Sequence, residues 1–218
     1  SLRIDTTNVP YTAQCSYPGL DSLVILTSAI PSDTNVNFSI KCKPGFDLMA
    51  HGIYKSGWVF PGMSHTVRVT AANMVQQWYN LNCSTNVGGQ VIVNISGPVN
   101  YLSTLSNIQP SSVIGNSITY NVADFSTVDI YDDFMLALTT NTNATIGDTV
   151  CIDVNVIAAG DNNLSNNQKH YCYPVTNSYD PNMKETYPEN VMPGYNDWFY
   201  YTIHFQNVGN APAINVKI

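Results

Sequence analysis

The sequence predicts an all-β protein, and three features of its composition favour that class. Strong helix formers are scarce: Glu185 and Glu189 are the only glutamates, and Lys and Arg together number 8 in 218 residues. Tyr, Val, Ile and Thr are plentiful, and these side chains favour strands. Gly and Pro number 13 and 12 and lie, with Asn and Asp, between short apolar runs. This is the composition of short strands joined by tight turns.

The composition also limits the partners of the chain. A hydrophobic share of 44% and an aromatic share of 11% are enough to build a buried core. The net charge of −7 comes from few charges of either sign, so no basic stripe is available to neutralise phosphates, and we expect no nucleic-acid partner. No segment approaches the ~20 apolar residues of a membrane helix. The chain opens in a strand-like pattern without a signal peptide, so we expect a mature or excised segment.

Strand signals recur along the whole chain, and turn residues separate them. The expected strands cover residues 22–28, 35–43, 46–54, 64–71, 89–95, 116–122, 133–140, 149–157 and 168–175. The last seven have the number and spacing of an immunoglobulin-like β-sandwich. The one helix-like stretch, residues 72–79, fits a loop that plugs the end of the sandwich equally well.

The ends of the chain predict incomplete domains. Phe199, Tyr201, Ile203 and Phe205 alternate strictly and are expected to face a core, but the segment is too short for a whole sandwich. We therefore divide the chain into three parts. Residues 1–43 are the C-terminal strands of a preceding β-domain, residues 44–176 form the immunoglobulin-like sandwich, and residues 177–218 are the N-terminal strands of a following, truncated β-sandwich domain.

The five cysteines predict two disulfides and one unpaired residue, Cys15. Folding the hairpin of residues 149–175 about its central turn places Cys151 opposite Cys172, on the face that the apolar residues of both strands leave free. Cys42 and Cys83 each share a strand face with an apolar neighbour, which makes an internal bridge between them plausible. The alternative is that all five are small buried hydrophobic residues in a reducing compartment.

Oxygen-bearing side chains near the last segment are candidate ligands for a hard cation. Asp180 and Asn182 lie at the junction, and Asp129, Asp132 and Asp133 would join them if their loop folds onto it. Ca²⁺ binds several such oxygens, so calcium is the one cofactor that the sequence suggests. The simpler interpretation, which we favour, is a capped turn at Asp180 and a solvated pair at Asp132 and Asp133.

Catalytic motifs are missing from the sequence, and we expect no enzyme. The chain has no GxSxG elbow, HExxH motif or glycine-rich phosphate loop, and its four histidines lie on separate predicted strands. Trp58, Trp198 and Tyr200 are candidate ligand or interdomain contacts. Such side chains stack on sugar rings, but more often they fill cores or cover the seam between domains.

Two long motifs near the C-terminus carry a resemblance to a known family. Residues 178–185 read SYDPNMKE, and residues 198–213 read WFYYTIHFQNVGNAPA. They resemble a recurrent module of secreted surface proteins in Bacteroidota, which reads SYDPNDK followed by LxYTIxFQNTGxxxA and commonly precedes a type IX secretion sorting domain. Residues 43–47, 57–62 and 161–167 look like the conserved-repeat or adhesion-related immunoglobulin-like domains upstream in the same proteins. Met183 departs from the pattern, which usually has Asp there.

The resemblance implies a piece of a large, exported, multidomain protein, with a sorting signal beyond Ile218 and no catalytic residues to carry over. We therefore expect a non-catalytic structural or adhesive stalk segment of a secreted cell-surface protein, located outside the cell or on its outer surface. Its expected partners are adjacent domains of the same parent chain, surface glycans or neighbouring copies. Two alternatives stay open: a carbohydrate-binding or accessory module of a secreted enzyme, and a subunit of an extracellular filament with strand exchange between chains.

Overall fold

The computed structural model describes residues 5–7, 9, 11–14, 27–29, 31–32, 38–73, 83, 86–129, 134–177, 183–214 and 216. These residues form strands, two single-turn 3₁₀ helices and no α-helix, so the predicted all-β class is confirmed. The strands are β1 (Tyr11–Ala13), β2 (Ile40–Cys42), β3 (Leu48–Ser56), β4 (Ser64–Asn73), β5 (Gly89–Ser96), β6 (Val99–Thr104), β7 (Ser112–Ile114), β8 (Ser117–Val122), β9 (Met135–Thr140), β10 (Thr149–Ile157), β11 (Gln168–Pro174), β12 (Met183–Tyr187) and β13 (Tyr200–His204).

Strands β3 to β11 form a β-sandwich. One sheet has four strands in the order β3-β4-β9-β6, and the other has five in the order β11-β10-β5-β8-β7. All neighbouring strands in both sheets are antiparallel. Strands β1 and β2 pair with each other, as do β12 and β13, in separate two-stranded sheets. The division of the chain into three domains stays a prediction.

The core lies between the two sheets and follows from period-two alternation. Along β10, Val150, Ile152, Val154 and Val156 are at most 2% exposed, whereas the residues between them face outward. The central strand β5 repeats this pattern, and Leu136 and Leu138 of β9 meet it from the opposite sheet with no exposed surface. Burying each such side chain contributes about 1.5–3 kcal/mol.

Most sandwich strands lie where the sequence predicts them, and the exceptions are edges and ends. All seven strands expected between residues 46 and 175 are present. Residues 72–73 extend β4, where the sequence predicts the start of a helix-like stretch. The sequence did not predict β6, whose pairing shifts register between Tyr101 and Ser103, or β7, an exposed edge strand of three residues. Most of the strand expected at residues 22–28 and most of the helix-like stretch at residues 72–79 lie outside the described residues, at positions 22–26 and 74–79.

The β12–β13 hairpin lacks a second layer among the described residues. Phe199, Tyr201, Ile203 and Phe205 are between 39% and 55% exposed. The prediction that they face a core is therefore wrong for the described chain. An isolated two-stranded sheet is marginally stable in water, so this apolar face requires a cover.

The chain enters and leaves the sandwich at opposite ends. At one end Phe46 forms a parallel bridge with Asp161, in the loop between β10 and β11, and accepts a backbone hydrogen bond from Asn162 at 2.9 Å. At the other end the backbone N–H of Thr176, just after β11, donates to Val59 at 2.8 Å, just after β3. Strands β3 and β11 thus run in the same direction, and the nine residues of β3 span about 30 Å between the two ends.

Asn116 joins the edges of the two sheets. It follows Gly115, whose φ of +58° suits the tight turn between β7 and β8. Its Oδ1 accepts from the backbone N–H of Tyr101 at 2.9 Å, and its Nδ2 donates to the carbonyl of Val99 at 2.8 Å. Both partners lie on β6, so one amide pairs with an edge strand of the opposite sheet.

We predict that Asn116→Ala lowers the free energy of unfolding by about 1–3 kcal/mol, because two partly buried backbone groups of β6 lose their partner. Urea denaturation with the disulfides intact measures this change. Asn121→Ala is the matched control: its amide oxygen accepts from the exposed Gln90, and its expected cost is within about 0.5 kcal/mol. Equal losses in the two variants would contradict the role of Asn116.

Candidate functional site

The outer face of the five-stranded sheet brings sulfur, imidazole and carboxylate groups together. In the register of β10 and β11, Cys151 lies opposite Cys172, and Asp153 lies opposite His170. The structure contains the Cys151–Cys172 disulfide on this outer face, as the sequence predicts. All four side chains point away from the core because the residues that alternate with them on β10 fill it.

The imidazole of His170 contacts both of its neighbours on this face. Its Nε2 lies 3.0 Å from Sγ of Cys172, and its Nδ1 lies 2.6 Å from Oδ1 of Asp153. The two ring contacts fix the orientation of the imidazole against the disulfide. The group is accessible, since the side chains of His170 and Asp153 are 61% and 54% exposed.

Cys151, His170 and Cys172 also have the spacing of a metal-ligand set, with one ligand atom of each within 4.8 Å of the others. Soft metals bind thiolates, however, and neither sulfur of a disulfide is a thiolate. In the bridged form the three residues therefore do not constitute a ligand set.

The hairpin register could have revealed this group from the sequence. The pairing that places Cys151 opposite Cys172 also places Asp153 opposite His170, two residues further along each strand. Because side chains repeat every two residues on a strand face, all four belong to the same face. Motifs read along the chain do not reveal the group, because His170 and Asp153 come together only across the hairpin.

The second disulfide, Cys42–Cys83, is also present in the structure. The sequence favours an internal bridge, but Cys42 is exposed and Cys83 is half-buried. Within the described part of the chain, the three-residue strand of the apolar neighbour Ile40 pairs with β1 alone, and Ile40 is half-buried. Cys15 lies outside the described residues.

The predicted junction site for calcium falls largely outside the described residues. Asp180, Asn182, Asp132 and Asp133 are not described, and Asp129 is exposed. A calcium site at the junction stays a prediction.

Acidic side chains meet instead at the entry end of the sandwich. Asn166 donates to Oδ1 of Asp47 at 2.8 Å, and Asp161 accepts from the backbone N–H of Leu48 at 3.3 Å and from Asn167 at 2.9 Å. Burial raises the pKa of Asp47, and the nearby Asp161 carboxylate acts in the same direction, while hydrogen bonds from Asn166 and Asn163 oppose it. These contacts fasten the loop between β10 and β11 to the incoming chain.

The predicted aromatic contact residues do not form one site. Trp58 is 46% exposed and stacks on Phe60, with ring centroids 6.5 Å apart, at the end of β3. Trp198 and Tyr200 lie on the β12–β13 hairpin and are 79% and 67% exposed. Tyr187, opposite Tyr200 in the register, is 73% exposed and extends this aromatic face.

His65 and Tyr173 form a polar link inside the core that the sequence did not reveal. His65 of β4 is 4% exposed, and its Nε2 lies 2.8 Å from the Tyr173 hydroxyl of β11, which belongs to the opposite sheet. Burial lowers the pKa of His65 to about 4, and the positive charge of Lys55 acts in the same direction. Burial likewise raises the pKa of Tyr173. Both groups are therefore neutral at pH 7.

No family model matches the chain, and no curated protein does so. None of the described residues belongs to a helix with the length and hydropathy that a bilayer crossing needs.

We predict that acidification from pH 6.5 to 4 destabilises the fold partly through His65. In the unfolded chain its imidazole binds a proton at its ordinary pKa near 6.5, whereas in the folded chain it does so only near pH 4, so stability present above pH 6.5 is lost as the pH falls. The loss attributable to His65 is up to about 3 kcal/mol. Urea denaturation as a function of pH measures it.

His65→Gln removes the titrating group and leaves an amide to bond Tyr173. The variant is expected to lose less stability than the wild type between pH 6.5 and 4, whatever its stability at pH 7. His204→Gln, at an exposed position, should retain the wild-type pH dependence. Identical slopes for all three proteins would refute the assignment to His65.

Proposed function

We propose that this chain is a non-catalytic structural segment of a large secreted surface protein, in which the sandwich acts as a load-bearing spacer. The single observation that carries this proposal is the position of the chain's entry and exit at opposite ends of the sandwich. A unit connected in this way extends a tandem array along its strands, which is the geometry of a stalk.

Both ends of the sandwich are fastened by contacts from distant parts of the sequence. At the entry, the backbone of Phe46 and the side chain of Asp47 bond to residues 162 and 166. At the exit, Val175 is fully buried and its backbone N–H donates to the backbone carbonyl of Asp148 at 2.7 Å, next to the bond from Thr176 to Val59. An axial force would act on these anchors and on the β3–β4 and β10–β11 ladders in shear.

The chemistry of the chain supports a location outside the cell. Two disulfides persist in oxidising compartments and are rare in reducing ones. The resemblance of residues 178–213 to the module that precedes type IX sorting domains supports export by that route. The separate resemblance of residues 43–47, 57–62 and 161–167 to conserved-repeat domains supports the immunoglobulin-like assignment of the sandwich.

The aromatic face of the β12–β13 hairpin is the part of the segment that we assign to contacts with other domains, surface glycans or neighbouring copies. Trp198, Tyr200 and Tyr187 are exposed together there. Exposed aromatic patches of this kind mark interaction surfaces.

Single-molecule pulling tests the load-bearing role, and the direction of pulling provides the control. The recordings use a Cys42→Ala/Cys83→Ala variant, because the Cys42–Cys83 bridge would otherwise carry the force from Pro44 directly to residue 83 and bypass β3 and β4. With handles at Pro44 and Thr176 the ladders of β3 and β11 are then sheared, so many hydrogen bonds must break together. With handles at Pro44 and Leu164, both at the entry end, the loop peels away from its anchors and the bonds break in turn. We predict a clearly higher unfolding force in the first geometry, and equal forces would contradict the proposal.

The same recordings report whether the hairpin disulfide shortens the extensible chain. The bridge between Cys151 and Cys172 removes a separation of 21 residues from the contour released on unfolding. Adding Cys151→Ala/Cys172→Ala to the variant used for these recordings should therefore release about 70 Å more when it is pulled from Pro44 and Thr176. Equal released lengths would show that the bridge lies outside the loaded segment.

A further inference from the structure

We propose that the Cys151–Cys172 disulfide is a thiol-exchange site, at which His170 protonates the departing Cys172 thiolate when a low-molecular-weight thiol attacks Cys151. The proposal goes beyond the spacer role and is independent of it. It rests on the contact of 3.0 Å between Nε2 of His170 and Sγ of Cys172, and on the contact of 2.6 Å between Nδ1 and Asp153.

The acceptors at the two ring contacts indicate which nitrogens of His170 carry protons. A disulfide sulfur has no proton, so it accepts hydrogen bonds but does not donate them, and the Asp153 carboxylate is also an acceptor. Both contacts are hydrogen bonds only when both ring nitrogens carry protons. The imidazolium that satisfies this geometry holds a proton directly at the Cys172 sulfur.

The surroundings of Cys151 leave room for the attacking sulfur. On the strand at its other side, β5, the residue opposite Cys151 is Ser96, which is small and exposed. Residues opposite one another share a face, so Ser96 lies on the side of Cys151 away from Cys172. Attack on a disulfide runs along the sulfur–sulfur axis, so the external sulfur reaches Cys151 from the side away from the Cys172 sulfur. Cys172 itself lies on β11, an edge strand, and is exposed.

The exchange balances in two steps. The external thiolate forms a bond to Sγ of Cys151, the bond between Cys151 and Cys172 breaks, and its electron pair goes to Sγ of Cys172, which takes the proton from Nε2 of His170. A second molecule of thiol then attacks the mixed disulfide, which releases the small-molecule disulfide and the Cys151 thiol. Two thiols are oxidised and one protein disulfide is reduced. A leaving thiol that is stabilised as it departs accelerates the first step.

Asp153 is a positioning residue in this scheme. It does not touch the reacting sulfurs, and its carboxylate fixes the ring plane of His170 across the hairpin. The opposite neighbour of Asp153, Asn94, is held by a hydrogen bond of 2.7 Å from Ser117. Asp153 of β10 therefore orients the imidazole of β11 across the hairpin.

Reduction of the full oxidised chain by glutathione at pH 7 tests the proposal. Timed samples are quenched with N-ethylmaleimide, and peptide mass mapping follows each cysteine. In the wild type, the first product should carry glutathione on Cys151 and maleimide on Cys172. His170→Gln should slow reduction of this bridge at least tenfold. This threshold is set below the ~10²–10⁴-fold acceleration that positioned general acids contribute in enzymes. Asp153→Asn should slow it by a smaller factor and leave Cys172 as the freed thiol.

Two controls separate this effect from a general loss of structure. The Cys42–Cys83 bridge of the same molecule should react at an unchanged rate in every variant. His204→Gln, which alters another exposed histidine paired with a carboxylate, should leave both bridges unaffected. The proposal is overturned if His170→Gln changes the rate less than twofold, if it slows both bridges equally, or if glutathione appears first on Cys172.

Discussion

The burial of every second side chain between two antiparallel sheets determines which residues of each strand face solvent. Val150, Ile152 and Val154 fill the core from β10, and this fixes which side chains of the same strand face outward. A shift of one residue would exchange the two sets and bury Cys151 and Asp153. The position of the disulfide, the contact of His170 with it and the exposure of both are therefore consequences of the core register.

The same packing determines how the chain passes through the sandwich. Strands β3 and β11 are the edges of different sheets and run in the same direction, and the contacts of Phe46 with Asp161 and of Thr176 with Val59 hold their opposite ends. Side-chain hydrogen bonds also join the two sheets, one inside the core and others at the edge. His65 meets Tyr173 inside the core, and Asn116 bonds β6 at the edge. The outer face of β10 and β11 is left free for chemistry that the fold does not require.

The sequence was sufficient wherever local alternation and burial agree. It predicts β10 and β11, their register and the Cys151–Cys172 bridge, because strict alternation with one apolar face permits a single pairing. It does not predict β6, where a register shift interrupts the alternation, or the link between His65 and Tyr173, because contacts between sheets have no local signal. Phe199 and Tyr201 alternate as core residues do, yet they are exposed, since alternation indicates which residues share a face but not what covers that face.

The distance between the entry and the exit of the sandwich decides whether it can act as a load-bearing spacer. Spin labels placed through unnatural amino acids at Pro44 and Pro174, both exposed, report it by electron double resonance, and labels at Pro44 and Leu164 serve as the reference for two sites at one end. We expect a narrow distribution centred near 30 Å for the first pair, from the length of the strands, and a clearly shorter distance for the second. A first-pair distance as short as that of the second would place entry and exit at the same end and contradict the load-bearing spacer.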